Sequence, residues 1–228
     1  EEKIVVSLSA FNLHQDYRQL LEKALYSKDS QSQDIADNSK IWGLLPGLCC
    51  QAAGGEVSWA DTIAASWILF YTAADLMDSA QDQDEPDEWW KEGGSAVALS
   101  AATGLFFCAS ALLGDVAFSE RTAGVAQELM RDFHQSFLRM SSGQYSDLIR
   151  PHPNLTEYWE IASEKSGSFF SVACRSGARL AGRNSEQIDA FGDFGHSLGV
   201  LIQILDDLED LNSLLHIENV HQIKSLSR

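Results

Sequence analysis

The sequence predicts an all-α protein, a bundle of long helices around an apolar interior. The chain of 228 residues has only four prolines, which leaves room for long uninterrupted helices. Hydrophobic residues make up 45% of the chain, as in ordered globular proteins. Two apolar runs with helical spacing each end in carboxylates, at residues 64–78 and 201–210. At this length we expect a single domain, residues 1–228.

Helix starts and stops can be placed in order along the chain. Residues 17–25 have helical periodicity. A second helix is expected over residues 119–140, because a serine begins it and Gly143 follows as a stop. Gln144 and Asp147 would then lie in a loop.

The C-terminal part continues the helical pattern. Asn154 or Thr156 is expected to cap the helix that carries Lys165, and Ser185 to cap the last helix. Apolar residues from 191 to 205 keep the spacing of one helix face. A histidine within such a stretch is more often a satisfied core or surface residue than a base, so no role is assigned to His196.

The charge of the chain limits its partners. Its 33 acidic and 16 basic residues give a formal net charge of −17. Such a protein does not suit nucleic acid, which requires a basic face, and it is not attracted to anionic membranes. An acidic protein that handles phosphates must bind cations to do so.

The cysteines and the longest apolar stretch indicate where in the cell the protein is located. The four cysteines lie in apolar helical contexts without the paired spacing of a zinc site or a secreted disulfide framework. They predict reduced core residues in a cytoplasmic protein. Residues 96–113 come nearest to a membrane span, but their Gly, Ser and Thr content favours a close-packed core helix, so we expect no stable membrane anchor.

The stretch at 201–211 places several carboxylates at the end of an apolar helix. Asp206 and Asp210 lie one turn apart on one face, Gln203 lies one turn before Asp206, and Asp207 borders that face. Like charges so arranged repel each other. The cluster is therefore either a solvated helix end or a site for a hard cation such as Mg²⁺.

The stretch at 64–78 repeats this design. Its apolar run leads to Asp75 and Asp78, and Asp82 follows at the next turn, so spacings of three and four residues keep all three on one stripe. Two such helices facing each other across an apolar cavity would form a multi-metal site for a diphosphate.

Several motifs between and within these stretches resemble the polyprenyl (trans-isoprenyl) diphosphate synthase family. The second acidic motif of that family reads DDxxD after a glutamine, and this chain matches it fully. Further matches follow the family's order, and the resemblance runs from about residue 38 to the end. The matching residues are Gly143, Gln144 and Asp147 (GQxxD), Tyr158, Lys165 and Ser166 (Y…K-[TS]), the small-residue segment 176–182, and Gln203, Asp206, Asp207 and Asp210.

The resemblance implies the fold of class I isoprenoid (terpenoid) synthases, a helical bundle around a central apolar cavity. It also implies a Mg²⁺-dependent prenyltransferase that ionises an allylic isoprenyl diphosphate, with three ions held by the substrate diphosphate and the metal ligands. Relatives are commonly homodimers, and their chains continue into further C-terminal helices, which we expect this sequence to lack. The implied metal ligands are Asp75, Asp78, Asp82, Asp206 and Asp210.

The other implied site residues have separate roles. Lys165 resembles the family lysine that anchors the allylic diphosphate, while Gln203 would lie near the cation or orient Asp207. Gln144 and Asp147 would lie near the cavity. No residue acts as a general base, because diphosphate itself can take the final proton.

The first half of the site departs from the family pattern. Lys40 alone remains of a basic signature for the acceptor diphosphate, and Ala74 occupies the first position of the first DDxxD. Residues 81–88 carry five carboxylates where the family places two arginines. Phe70, one turn before the first motif, would close the cavity floor and limit the product to a short isoprenoid.

Three functions therefore remain open. The chain is a synthase that elongates with isopentenyl diphosphate, or an isoprenyl transferase or terpene cyclase without a diphosphate acceptor, or a catalytically silent partner subunit. The complete second motif favours the first, the missing basic residues the second, and the missing first aspartate allows the third.

Overall fold

The computed structural model describes residues 2–26, 42–82, 86, 89–150 and 152–226, with the side chains of Glu2, Val5, Ser7, Asp210 and residues 212–226 excepted. Lys40 lies outside the described residues. All regular structure in the described part is helical, which confirms the predicted all-α class. The α-helices are α1 (Glu2–Ala10), α2 (Gln15–Tyr26), α3 (Leu45–Ala52), α4 (Asp61–Asp82), α5 (Gly94–Gly114), α6 (Ala126–Ile149), α7 (Leu155–Ala162), α8 (Ser168–Leu180) and α9 (Ser185–Leu226).

Short helical turns connect several of these helices. In the described part of the chain, three of these are 3₁₀ turns. One more is a π-helical turn, Ser163–Gly167, which joins α7 to α8 and which we call the π-turn. The 3₁₀ turns are Val57–Ala60, Asp115–Phe118 and Ala123–Val125.

Helix α4 runs through the core and packs against α5. Its Trp67, Leu69 and Phe70 are at most 1% exposed. The facing side of α5 carries small buried residues such as Ala98 and Ala101, which let the two helices approach closely. The C-terminal end of α4 carries the first acidic motif out of this core.

Among the described residues, one helical segment is long and apolar enough to cross a membrane. This segment is Gly94–Phe118. A stretch of 18 residues within it has a mean hydropathy of 2.0, and half of that stretch is buried within the protein. Length and composition of this kind are shared by membrane spans and by the core helices of soluble proteins.

Helix α8 is the other core helix and packs between α3 and α9. Glycines make this packing close: a Cβ at Gly177 would lie 2.4 Å from the carbonyl oxygen of Pro46, and one at Gly195 would lie 2.5 Å from that of Phe170. All four cysteines are free and buried, in agreement with the reduced core residues that were predicted.

Helix α6 differs from the sequence prediction at both ends. It begins at Ala126, after the 3₁₀ turns, and it continues through Gly143 to Ile149. The predicted stop was wrong because Gly143 serves a neighbouring segment instead: a Cβ there would lie 2.6 Å from the backbone nitrogen of Lys165. Gln144 and Asp147 are therefore on a helix and not in a loop.

The helix caps agree with prediction at one site and not at another. Asn154 forms a complete capping box with Glu157 at the start of α7. At the start of α9, Asn184 rather than Ser185 accepts from the backbone nitrogen of Gln187, at 2.9 Å, so the predicted serine cap was wrong by one residue.

Candidate active site

Lys165 lies in the π-turn and connects two helices of the bundle. Its Nζ donates to Asp78 Oδ1 of α4 at 2.9 Å and to Asp147 Oδ2 of α6 at 3.1 Å. The lysine side chain is 14% exposed. Burial lowers the pKa of Lys165, but the two carboxylates outweigh this effect and the net pKa is raised. The lysine is therefore a fixed cation between the first acidic motif and the GQxxD segment.

Ser166, the next residue, reaches the second acidic motif. Its hydroxyl donates to Gln203 Oε1 at 2.5 Å, and Gln203 Nε2 donates to Asp207 Oδ1 at 3.0 Å. The second oxygen of Asp207 accepts from the Tyr158 hydroxyl at 2.5 Å. Gln203 thus hydrogen-bonds the aspartate that it was expected to orient, and Asp207 is held from two directions.

The two acidic motifs converge on Tyr71 of α4. Burial raises the pKa of its hydroxyl, and the negative charges of Asp75 and Asp206 raise it further. Both carboxylates therefore lie near enough to one phenol to act on it, which supports an arrangement with the two motifs near each other. We call α4 with Asp75 and Asp78 the first wall, and α9 with Gln203, Asp206 and Asp207 the second wall.

Gln144 also contacts the first wall. Its Nε2 donates to Gln81 Oε1 at 3.2 Å, which ties α6 to the residue one turn beyond Asp78. Gln144 makes this contact from its position on helix α6. Asp82 is exposed at the end of α4, and the side chain of Asp210 lies outside the described ones.

The carboxylates suit Mg²⁺ in their chemistry. They offer oxygen donors from helices α4 and α9, the donor type that hard divalent cations prefer. Within the described side chains, no three potential ligands form a compact group. A diphosphate could bridge two separated sets of carboxylates, because its oxygens supply further ligands for the metal ions.

Aromatic rings fill the space beneath the first wall. Phe70 is 1% exposed, and its ring centroid lies 5.0 Å from Phe106, 6.0 Å from Phe133 and 4.1 Å from Phe137. This cluster lies one turn before the first motif, at the position for which an apolar floor was predicted.

A separate apolar cleft of about 420 Å³ lies between α2 and α5. Tyr17, Leu21, Gly104 and Phe107 are among its lining residues, and none of the predicted site residues lines it. This cleft is therefore distinct from the region where the two walls face each other.

The sequence patterns did not reveal two residues of this geometry. Tyr158 was noted as part of a motif but received no role, and Tyr71 was not considered. Each lies on a helix that already carried a predicted site residue or led into one. A tyrosine at helical spacing from such a residue was the available signal.

Comparison with known proteins identifies the family. The family model for polyprenyl synthetases matches residues 43–216, which is most of the chain, and the chain belongs to that family. It is 27% identical over 164 residues to the geranylgeranyl diphosphate synthase of Mycobacterium tuberculosis, covering 69% of this chain and 46% of that protein. It is 28% identical over 189 residues to the short chain isoprenyl diphosphate synthase of Methanothermobacter thermautotrophicus, covering 78% and 56%. The chain therefore spans about half the length of these curated relatives.

Solved structures support the fold. The geranylgeranyl pyrophosphate synthetase of Pyrococcus horikoshii superimposes with a TM-score of 0.76 at 23% identity, covering 92% of this chain and 62% of that one. The corresponding protein of Geoglobus acetivorans gives a TM-score of 0.75 at 19% identity, with 92% and 66% coverage. The predicted isoprenoid synthase bundle is thereby confirmed.

Proposed function

We propose that this protein is a magnesium-dependent prenyltransferase that ionises an allylic isoprenyl diphosphate and transfers its prenyl group in isoprenoid biosynthesis. The observation that carries the proposal is the pair Lys165–Ser166. Through these consecutive residues the π-turn contacts Asp78 of the first wall and Gln203 of the second. A diphosphate between the walls would meet a fixed cation and carboxylates from both sides.

The side chains divide the work between binding and stabilisation. Lys165 would anchor phosphate oxygens and stabilise charge on the leaving diphosphate. Asp75, Asp78 and Asp82 of α4 and Asp206 and Asp210 of α9 would hold Mg²⁺, which would supply Lewis-acid stabilisation of the same charge. Asp207, held by Tyr158 and Gln203, keeps the second wall ordered. The aromatic floor keeps water from the allylic cation until a carbon nucleophile attacks.

The acceptor proposal rests on the charge of the sequence that follows Asp78, most of which lies outside the described residues. Residues 81–88 carry five carboxylates, and a second diphosphate would be repelled there. This favours, as a second candidate, an isoprenyl transferase or a terpene cyclase whose nucleophile carries no diphosphate. A catalytically silent partner subunit is the third candidate. Lys40 remains a proposed contact for an acceptor diphosphate.

We propose a short product because of the aromatic floor. Phe70 and its three ring neighbours occupy the space into which a growing chain would extend. Phe70→Ala would open that space, and the main product should lengthen by at least one isoprene unit, as measured by chromatography of dephosphorylated products. Phe118→Ala is the matched control, because that ring is 88% exposed. An unchanged product with Phe70→Ala would disprove this role.

We also propose a homodimer that pairs through the exposed face of α5. The whole helix carries no charged residue, and its exposed side runs through Ala96, Ser100, Thr103, Phe107 and Ala111. An uncharged face of this length on a protein of net charge −17 is suited to a second copy of itself. Sedimentation velocity should give a dimer, and Phe107→Glu should give a monomer.

We propose a cytoplasmic location for the protein, which the buried free thiols support.

One experiment tests the activity and separates the candidates. The protein is incubated with Mg²⁺ and geranyl, farnesyl or geranylgeranyl diphosphate, each with and without isopentenyl diphosphate. Elongation that requires isopentenyl diphosphate identifies a synthase, and diphosphate release with a hydrocarbon product identifies a cyclase. No turnover with any donor would move the assignment to a partner subunit.

The metal assignment has its own test within that assay. The double variant Asp206→Asn, Asp210→Asn should lose turnover, because amides are poor ligands for Mg²⁺. Asp193→Asn, an exposed position on the same helix, is the matched control and should retain turnover. Full activity in the double variant would refute the assignment of the second wall as a metal site.

A further inference from the structure

The π-turn determines where Lys165 and Ser166 point. A π-turn inserts one residue into a helix, and this extra residue rotates the segment before it by about 100° relative to the segment after it. Tyr158 precedes the turn and contacts Asp207, while Lys165 and Ser166 lie within it. If the turn were an ordinary helical turn, these three side chains would not keep their present directions together.

A hydrogen bond from α9 holds the first residue of the turn. Ser163 Oγ and His196 Nε2 lie 2.8 Å apart and share this bond. The imidazole also fills the space beside the last residue of the turn, where a Cβ at Gly167 would lie 2.8 Å from His196 Nε2. One histidine therefore contacts both ends of the π-turn.

Two glycines bring the neighbouring backbones against the middle of the turn. A Cβ at Gly199 of α9 would lie 2.3 Å from the carbonyl oxygen of Ser166. A Cβ at Gly143 of α6 would lie 2.6 Å from the backbone nitrogen of Lys165. Distances this short to backbone atoms leave no room for a side chain. The turn is enclosed from α6 and from α9 at the two residues that reach the two walls.

We propose that His196 is a positioning residue whose bond to Ser163, together with the contacts at Gly143 and Gly199, holds the π-turn in register and so directs Lys165 to the first wall and Ser166 to the second. The proposal rests on the proposed function, because the group that the two residues would then grip is the substrate diphosphate. His196 itself touches neither the substrate nor a reacting atom. It acts through the turn.

The consequence is a specific defect when the bond is lost. A π-turn has poorer hydrogen-bond geometry than an α-helix and depends on outside contacts. Without the Ser163 to His196 bond, the turn would sample other registers, and Lys165 would be aligned only part of the time. Affinity for a diphosphate should then fall in proportion, because only the aligned fraction binds.

The first test measures binding with inorganic pyrophosphate and Mg²⁺ as the probe, by titration calorimetry. Ser163→Ala and His196→Leu should each weaken binding about three- to tenfold, the range expected for one lost hydrogen bond. The double variant should be no weaker than the worse single variant, because both changes remove the same bond. Ser197→Ala, an exposed neighbour of His196, is the control and should bind as the wild type does.

Conservative variants separate positioning from general stability. Ser163→Thr keeps the hydroxyl, and His196→Gln keeps a polar group that can reach it, so both should recover most of the binding. In the coupled assay, KM for the allylic diphosphate should rise and kcat should fall in Ser163→Ala. Equal binding by the wild type and by both Ser163→Ala and His196→Leu would overturn the proposal.

Hydrogen exchange distinguishes failure of this inference from failure of the proposed function. In the protein without ligand, amides of residues 163–168 should exchange faster in Ser163→Ala than in the wild type, and Ser197→Ala should leave them unchanged. A wild type that binds no pyrophosphate with Mg²⁺ would count against the proposed function alone. Unchanged exchange in Ser163→Ala would count against the positioning role alone.

The glycine contact supplies an independent variant. Gly199→Ala should distort the turn and weaken pyrophosphate binding at least as much as Ser163→Ala does. Gly114→Ala is its control, because a Cβ there would meet nothing within 4 Å. Wild-type binding by Gly199→Ala would contradict the close packing on which the inference depends.

Discussion

The first and second walls are both acidic, but they are held in different ways. On the first wall, Asp78 receives its hydrogen bond from a cation, Lys165. On the second wall, Asp207 receives hydrogen bonds from neutral groups, the Tyr158 hydroxyl and the Gln203 amide. A charged partner neutralises a carboxylate, whereas neutral donors orient one and leave its charge in place. This difference indicates that Asp78 is already paired with a cation, whereas Asp207 is oriented without being neutralised.

Removing the cation of the first wall should have the largest effect. Lys165→Ala leaves Asp78 and Asp147 without their shared partner and removes a positive group from the proposed diphosphate site. We expect turnover to fall about 10²- to 10³-fold, the range for loss of one charge-stabilising donor. Steady-state kinetics with the allylic diphosphate would measure this, with Lys91→Ala as the exposed control. A loss below threefold would show that the first wall does not depend on its lysine.

Removing a neutral donor of the second wall should have a smaller effect. Tyr158→Phe deletes one hydrogen bond to Asp207 and leaves the bond from Gln203 in place. We expect Mg²⁺-dependent activity to fall about three- to tenfold. Tyr145→Phe is the matched control, since that ring is 64% exposed. If Tyr158→Phe were as damaging as Lys165→Ala, the distinction between the two walls would have to be abandoned.

The smallest expected effect concerns stability at high pH. The folded protein raises the pKa of Tyr71, Tyr158 and Lys165. A raised pKa gives stability that is complete below the pKa of the unfolded group, which is 10.0 for tyrosine, and that is lost as pH rises above it. The urea midpoint should therefore fall from about pH 10 upward, and Tyr71→Phe should reduce the slope because that hydroxyl no longer titrates.

The control for this measurement is an exposed tyrosine. Tyr145→Phe should leave the slope above pH 10 unchanged. A slope in Tyr71→Phe equal to that of the wild type would mean that burial and the charges of Asp75 and Asp206 do not raise the pKa of that hydroxyl.

Sequence patterns predicted the class and the residues of the candidate site for a local reason. A helix fixes which residues share a face, so the spacings of Asp75 with Asp78 and of Gln203 with Asp207 could be derived without coordinates. The aromatic position of Phe70 followed from the family resemblance. None of this required knowledge of how the helices pack.

Gly143 shows where that approach fails. A glycine after an apolar run is a common helix stop, and the sequence offers no sign that it is instead a point of close contact. The neighbour that requires it is the backbone of Lys165, 22 residues later in the chain. The predicted loop positions of Gln144 and Asp147 were wrong for the same reason.

The sequence by itself determined the helical class and the residues available on each helix face, because these depend on composition and on spacing within one helix. The family followed from the resemblance of its motifs. The tertiary structure decided which partners those residues have: Lys165 with Asp78 and Asp147, Tyr158 with Asp207, and His196 with Ser163. Such pairs join different helices. Their formation depends on how each helix is rotated and how closely it approaches its neighbour, and the extra residue of the π-turn sets that rotation here.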